Sequence, residues 1–485
     1  MSRSIPFRPV TLAPVTACLC VLVFAHAPTS LAQGKGAATS PALPASASSQ
    51  EAIAYDDYFT SEAMRVDLMQ QGTAKGSQFA LDEVVWEPVW PGTRRYLIDP
   101  FGYGTYRFRV VDQASSKEIF RLGYSSLFDE WTSTPEAISG MSRSMSQSVR
   151  FPWPKKSVQL HIDKRHKDGS FKQIYSVSID PNGHGVNRTR KFNGTEVVDL
   201  VSGPPLPRAL DIVFVPEGYR REDEGKLRAD FARFASALAS AEPFRSHKQK
   251  LSIRGVLAFS HDSGVTEPRK GYFPDTLLGA TFNTFDSPRY LTLPQTKTLR
   301  QVASVAPYDA IIVIVNSSRY GGGGIYNQWA LFTSDNEYDD YVMVHEFGHS
   351  LAGLADEYYD SQIAMDDDTI YPKGVEPWEP NITAFLGKDP KRIKWHAMID
   401  PSTPIPTLTY ENAKAASSAA ESGIANDKFK EVVGLFEGAG YKARGLYRSQ
   451  QDCKMFHKGL VPFCAVCSKS IEKMIRYYAG EDGVL

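Results

Sequence analysis

Tyr341-Val342-Met343-Val344-His345-Glu346-Phe347-Gly348-His349-Ser350-Leu351 is the stretch on which the reading of this chain turns. Its two histidines stand four residues apart, so on an α-helix they share one face and can hold a single metal ion together. Imidazole suits zinc. Glu346 stands beside that metal, where its carboxylate can take a proton from metal-bound water and later pass it to a leaving amine. Zinc lowers the pKa of its bound water toward about 7, so a carboxylate of ordinary basicity suffices. The motif therefore predicts a zinc-dependent endopeptidase with one catalytic ion, His345 and His349 as ligands and Glu346 as general base. The plain alternative is a pair of helix-surface or satisfied core histidines. Val342, Val344, Phe347 and Leu351 argue against it, because they make the segment largely buried, where unpaired histidines are costly.

The flanks supply further candidates. Gly353 is the natural terminator of the motif helix. In the metzincin pattern of zinc peptidases a glycine marks where the chain turns back, and a third ligand follows three residues later. Gly353-Leu354-Ala355-Asp356 keeps that step with Asp356 as the ligand. The stretch from His349 to the glycine is one residue longer than in that pattern, which leaves Glu357 as the rival. Met455, in Asp452-Cys453-Lys454-Met455-Phe456, is the candidate for the methionine turn beneath the metal, against ordinary core packing. His457 stands where some of these enzymes carry a tyrosine that stabilises the oxyanion. Upstream, Gly321-Gly322-Gly323-Gly324-Ile325-Tyr326-Asn327 lacks the Lys-Ser/Thr ending of a phosphate-binding loop. It reads as a rim or edge strand to which an extended peptide adds backbone hydrogen bonds, making Gly322, Gly323 and Asn327 candidate substrate contacts. Alanine at Gly322 and Gly323 is then expected to raise the substrate concentration needed for half-maximal rate.

Further out, Ile212-Val213-Phe214-Val215 is a continuous apolar run of the kind buried on both faces of a sheet. Leu227, Phe231, Phe234 and Leu238 fall on one helical stripe that would cover it. Strands are predicted at residues 251–258, 311–315 and 329–333, just before the motif helix. Residues 52–200 carry β signals instead, with alternation in Tyr106-Arg107-Phe108-Arg109-Val110 and Val158-Gln159-Leu160-His161-Ile162 and a turn at Asp168-Gly169. Ser202-Gly203-Pro204-Pro205-Leu206-Pro207 separates the two patterns. The expected fold is an α/β (α+β) metzincin-like zinc peptidase domain, residues 201–485, behind an all-β sandwich-like N-terminal domain, residues 52–200.

The 485 residues, 54 Lys+Arg against 55 Asp+Glu, carry a net charge of −1, so no broad field draws the chain to nucleic acid or anionic lipid. Its expected partner is a protein or peptide substrate. Arg3 and Arg8, the apolar stretch from Val10 to Phe24, and small Ser30 and Ala32 predict a signal peptide over residues 1–32 and export to the periplasm or beyond, without stable membrane insertion. Cleavage at Cys18 to give a lipoprotein is the lesser alternative. The Ala/Ser/Pro-rich residues 33–51 read as a flexible tether. Export leaves Cys453, Cys464 and Cys467, from which one short-range disulfide and one free thiol are expected. Cys464-Ala465-Val466-Cys467 could instead bind metal, although a structural zinc site normally wants a second such pair. Asp366-Asp367-Asp368 is a weak calcium candidate, a solvated acidic loop being the commoner reading.

Four blocks together resemble the M64 family of metallopeptidases, named for bacterial immunoglobulin A peptidases: residues 211–219, 316–327, 345–359, and 434–441 with the cysteine-rich end. The resemblance implies a metzincin-like catalytic domain behind an N-terminal β-domain, zinc and export. It does not imply cleavage of immunoglobulin A, since kinship does not fix specificity. Two other functions fit the same motif, a secreted binding or adhesin-like protein with a structural metal and a zinc hydrolase of non-peptide substrates.

Overall fold

The computed structural model describes residues 53–359, 370–409 and 427–484. The predicted signal peptide, the tether and the acidic run Asp366-Asp367-Asp368 lie outside them. The described residues from Ile53 onward form one compact, mixed α/β unit.

Its first part is two four-stranded sheets. One runs β5-β1-β2-β8, built from β1 (Phe59–Thr73), β2 (Gly76–Glu87), β5 (Arg143–Pro154) and β8 (Val186–Asn187). The other runs β4-β3-β6-β7, from β3 (Tyr106–Asp112), β4 (Glu118–Tyr124), β6 (Val158–Arg165) and β7 (Phe171–Ile179). Alternate residues project to opposite faces of a strand. Met64, Val66 and Leu68 from one sheet therefore meet Tyr106, Phe108 and Val110 from the other in one shared core.

The second part is a six-stranded sheet in the order β13-β14-β12-β10-β11-β9. Its strands are β9 (Val197–Val201), β10 (Leu210–Glu217), β11 (Leu251–Val256), β12 (Ala310–Val315), β13 (Gly322–Ile325) and β14 (Trp329–Thr333). The four central strands are parallel, and both edge strands run antiparallel to their neighbours. The expected division at residues 200/201 falls inside β9, which pairs with β11. The continuous apolar runs are explained by burial on both sides. Ile212, Phe214, Ile312, Ile314, Ala330 and Phe332 face one core, which contains the helix Glu224–Ser240, the motif helix Asp339–Ala352 and the C-terminal helix Ala465–Tyr478. Val213, Val215, Ile311, Val313, Val315 and Leu331 face a second core closed by the helix Thr296–Ala303. Leu227, Phe231, Phe234 and Leu238, the predicted stripe, are all fully buried. Among the described residues no helix is long and apolar enough to cross a membrane.

A small sheet, β15 (Ile382–Thr383), β17 (Lys442–Arg448) and β16 (Phe436–Ala439), completes the fold. Its hairpin pairs Ala439 with Lys442, leaving Gly440 and Tyr441 as a two-residue loop with φ of 55° and 65°. Two consecutive positive φ values are what a tight hairpin turn matching the strand twist demands.

Candidate active site

The motif helix ends where the sequence predicts. Gly353 adopts φ 61°, and its N–H and that of Leu354 return to the carbonyls of His349 and Gly348. Only a residue at ease in the left-handed region closes a helix this way. The chain then doubles back, and Asp356 meets the histidines. Its Oδ1 lies 3.1 Å from His345 Nε2 and 3.3 Å from His349 Nε2, and the two Nε2 atoms are 3.2 Å apart.

Backbone carbonyls fix the tautomers. His345 Nδ1 is 3.0 Å from the Lys454 carbonyl and His349 Nδ1 is 2.6 Å from that of Leu354. A carbonyl only accepts, so each Nδ1 carries the proton and each Nε2 lone pair is turned toward Asp356. Three acceptor atoms thus converge on one point, and Asp356 Oδ1, though buried, has no hydrogen-bond donor. Such an arrangement calls for a cation between them. The field of the site favours positive charge at this point: burial disfavours charge on His349, yet the Asp356 carboxylate overrides it and raises the imidazole to about 10, so a proton or a metal ion is drawn to the same place. Asp356 is held far below the ordinary carboxylate range by the two imidazoles, against the opposing effect of burial. The residues present therefore fit a metal ion held by His345, His349 and Asp356.

Asp356 is braced from behind by the hairpin tip. Tyr441 donates its hydroxyl to Asp356 Oδ2, Gly440 N–H bonds the Asp356 carbonyl at 2.9 Å, and Tyr441 N–H bonds the Tyr358 carbonyl at 2.9 Å. The rival Glu357 turns instead to the cysteines, with Oε1 3.2 Å from Cys467 Sγ. Glu346 keeps its carboxylate in the histidine cluster. Burial raises its pKa above the ordinary carboxylate value, and the neighbouring imidazoles oppose the shift. Met455 lies under the helix: a Cβ on Gly348 would stand 3.2 Å from Met455 Sδ, and Glu357 N–H bonds the Met455 carbonyl at 2.8 Å.

The other candidates divide. β13 is an edge strand of the sheet, as the glycine run suggested, and it lies across the motif helix. A Cβ on Gly322 would sit 2.5 Å from Val342 Cγ1 and 2.8 Å from Glu346 Oε1, whereas one on Gly323 would meet the Leu291 carbonyl at 3.0 Å. Gly322→Ala is thus expected to act through Glu346, lowering kcat by up to about 100-fold. Steady-state kinetics separate this from the rise in KM expected of a lost substrate contact. Asn327 is engaged within the chain: Nδ2 bonds the Gly123 carbonyl at 2.6 Å and Oδ1 accepts from Tyr478 at 3.2 Å. It ties the N-terminal sheets to the catalytic region. His457 is exposed, near Asp452, and outside the cluster. Cys453, Cys464 and Cys467 are free thiols, so the expected disulfide is not formed. A cavity of about 1660 Å³, bordered by Phe128, Phe285 and Gln328, has none of the cluster residues in its wall.

Sequence reasoning missed the tyrosines around the site and one acid from the N-terminal part. Tyr341 donates to the Lys454 carbonyl at 3.2 Å, beside His345. Glu130 accepts from Tyr290 and lies in the field of His349 and Glu346; burial pushes it up to about 7. Tyr441 had a signal, since it stands in a block that carried the family resemblance.

A family model described as IgA Peptidase M64 matches residues 198–422 and 411–475. A second, described as Peptidase M64 N-terminus, matches residues 54–176. The chain belongs to the M64 family. Membership makes it a metallopeptidase, acting on protein substrates, with the His345, Glu346 and His349 cluster as the motif that bears it out. A comparison with curated proteins finds no match.

Proposed function

We propose that this M64 protein is an exported, zinc-dependent endopeptidase with a metzincin-like catalytic domain. The observation that carries the reading is the convergence of three acceptors, His345 Nε2, His349 Nε2 and Asp356 Oδ1, with Glu346 alongside. Zinc bound there would supply a Lewis acid that polarises a peptide carbonyl and acidifies water. Glu346 accepts the proton of the attacking water and returns it to the leaving amine. The Lys454 and Leu354 carbonyls keep both imidazoles in the ligand tautomer, and Tyr441 orients Asp356. Met455, seated under the helix, takes the part of the methionine turn. β13, as an edge strand, supports an extended peptide running beside the cluster, which suits internal cleavage.

Metal analysis with a broad peptide library tests this. Stoichiometric zinc and chelator-sensitive internal cleavage are expected; chelator-insensitive cleavage would sink the reading. Asp356→Ala should release the zinc under dialysis that the unmodified chain survives. Tyr441→Phe should keep the fold and lose about 10–100-fold in metal affinity or activity, the range for a group that orients a ligand. Export leaves a mature N-terminus at Gln33, which mass spectrometry of the chain recovered outside the cytoplasm would read. A retained Met1 would contradict it.

A further inference from the structure

Glu357, Cys453, Cys464 and Cys467 place four ligand atoms within 4.8 Å of one another, and all four side chains are buried. A tetrahedral zinc site with Zn–S bonds of about 2.3 Å has its corners about 3.8 Å apart, so the cluster needs little adjustment to close on an ion. No disulfide joins the cysteines. A disulfide would use two sulfurs and leave a third, with a carboxylate beside it, sealed from water.

Two of the sulfurs face hydrogen-bond donors. Cys453 Sγ faces the backbone N–H groups of Cys464 at 3.2 Å and Met455 at 3.4 Å. Cys464 Sγ faces that of Cys467 at 3.4 Å, and lies 3.2 Å from Ser449 Oγ. Donors aimed at sulfur stabilise thiolate. Cys464 also caps the 14-residue C-terminal helix, whose positive end favours negative charge. Glu357 is fully buried, and its Oε2 has no hydrogen-bond donor. Its Oε1 accepts from Asn381 Nδ2 at 3.0 Å, and Asn381 is itself held by both backbone groups of Ala355. A buried carboxylate oxygen with nothing to bond is costly unless a cation meets it. Three sulfurs exclude magnesium and calcium and select zinc among common divalent ions.

We infer that Glu357, Cys453, Cys464 and Cys467 hold a second zinc ion, in a closed structural site separate from the histidine cluster. All four positions are taken by protein, so no water is activated there. Its effect on the active site is through the chain. Asp356 precedes Glu357, and Lys454 and Met455 follow Cys453, so one ion fastens together the loop carrying the third catalytic ligand and the turn supporting the motif helix. This holds whether or not the histidine cluster works as proposed.

The test separates the two sites. The folded His345→Ala/His349→Ala chain should retain one zinc, with sulfur in its X-ray absorption shell, released by a mercurial thiol reagent. Cobalt in the same chain should show a thiolate-to-metal charge-transfer band. Cys464→Ser/Cys467→Ser should lose that ion; should it fail to fold, the X-ray absorption of the double-histidine variant decides alone. A folded double-histidine variant free of metal and unable to take up cobalt overturns the proposal. So does a disulfide among the three cysteines, found by alkylating the denatured wild-type chain without reductant.

Discussion

Glu346→Gln is expected to lower kcat by about 10²–10⁴-fold, the range for loss of a general acid–base group, while zinc content stays unchanged. Glutamine keeps the shape and the packing against Gly322 but cannot accept a proton at physiological pH. The side chain is not one of the three converging acceptors, so removing its charge leaves the ion's holders in place. A KM close to that of the unmodified enzyme would show that Glu346 acts mainly in the transition state. Loss of zinc along with activity would instead make Glu346 a holder of the ion. Retention of most of the activity would remove it from the chemistry altogether. The same variant separates a peptidase from a binding protein, because a structural metal site has no use for a carboxylate at this position.

How much of this could be read in advance depended on how local the cause was. Strands β10, β12 and β14 were legible because both faces are buried, which writes an unbroken apolar run. Strands β1 and β2 were not. Their buried positions include Arg65, Asp67, Gln70 and Glu87, paired with one another or with the facing sheet, and these interrupt the alternation that marks a strand. The helical spacing of His345 and His349 is likewise local. The choice between Asp356 and Glu357 was not, because it rests on a hairpin tip 85 residues downstream. The surroundings of the cysteine pair were not local either: Cys464-x-x-Cys467 has no second pair in sequence, while Glu357 reaches it from 107 and 110 residues away.

Glu87→Ala is expected to cost about 3–5 kcal/mol of stability, the amount for removing one partner of a buried ion pair. The Glu87 carboxylate lies 3.1 Å from Arg65 and 2.6 Å from Arg150, and all three groups are largely buried. Asp67 would still serve Arg65, at 3.0 Å, but Arg150 would lose its carboxylate. Arg150 also donates to the carbonyls of Tyr308 and Val89, both at 2.9 Å, and its guanidinium lies 4.2 Å from the Tyr308 ring centre. The Tyr308 hydroxyl in turn lies 3.3 Å from Glu87. Tyr308 belongs to the core on the far side of the six-stranded sheet, two residues before β12. This network therefore crosses from the N-terminal sheets into the catalytic region, and its loss should weaken both. Urea unfolding followed by tryptophan fluorescence and by residual peptidase activity should show both transitions moving together to lower denaturant. If the N-terminal sheets unfold while the activity curve stays where it was, the two parts are not held together by Glu87, and the N-terminal β-structure is dispensable for the integrity of the active site.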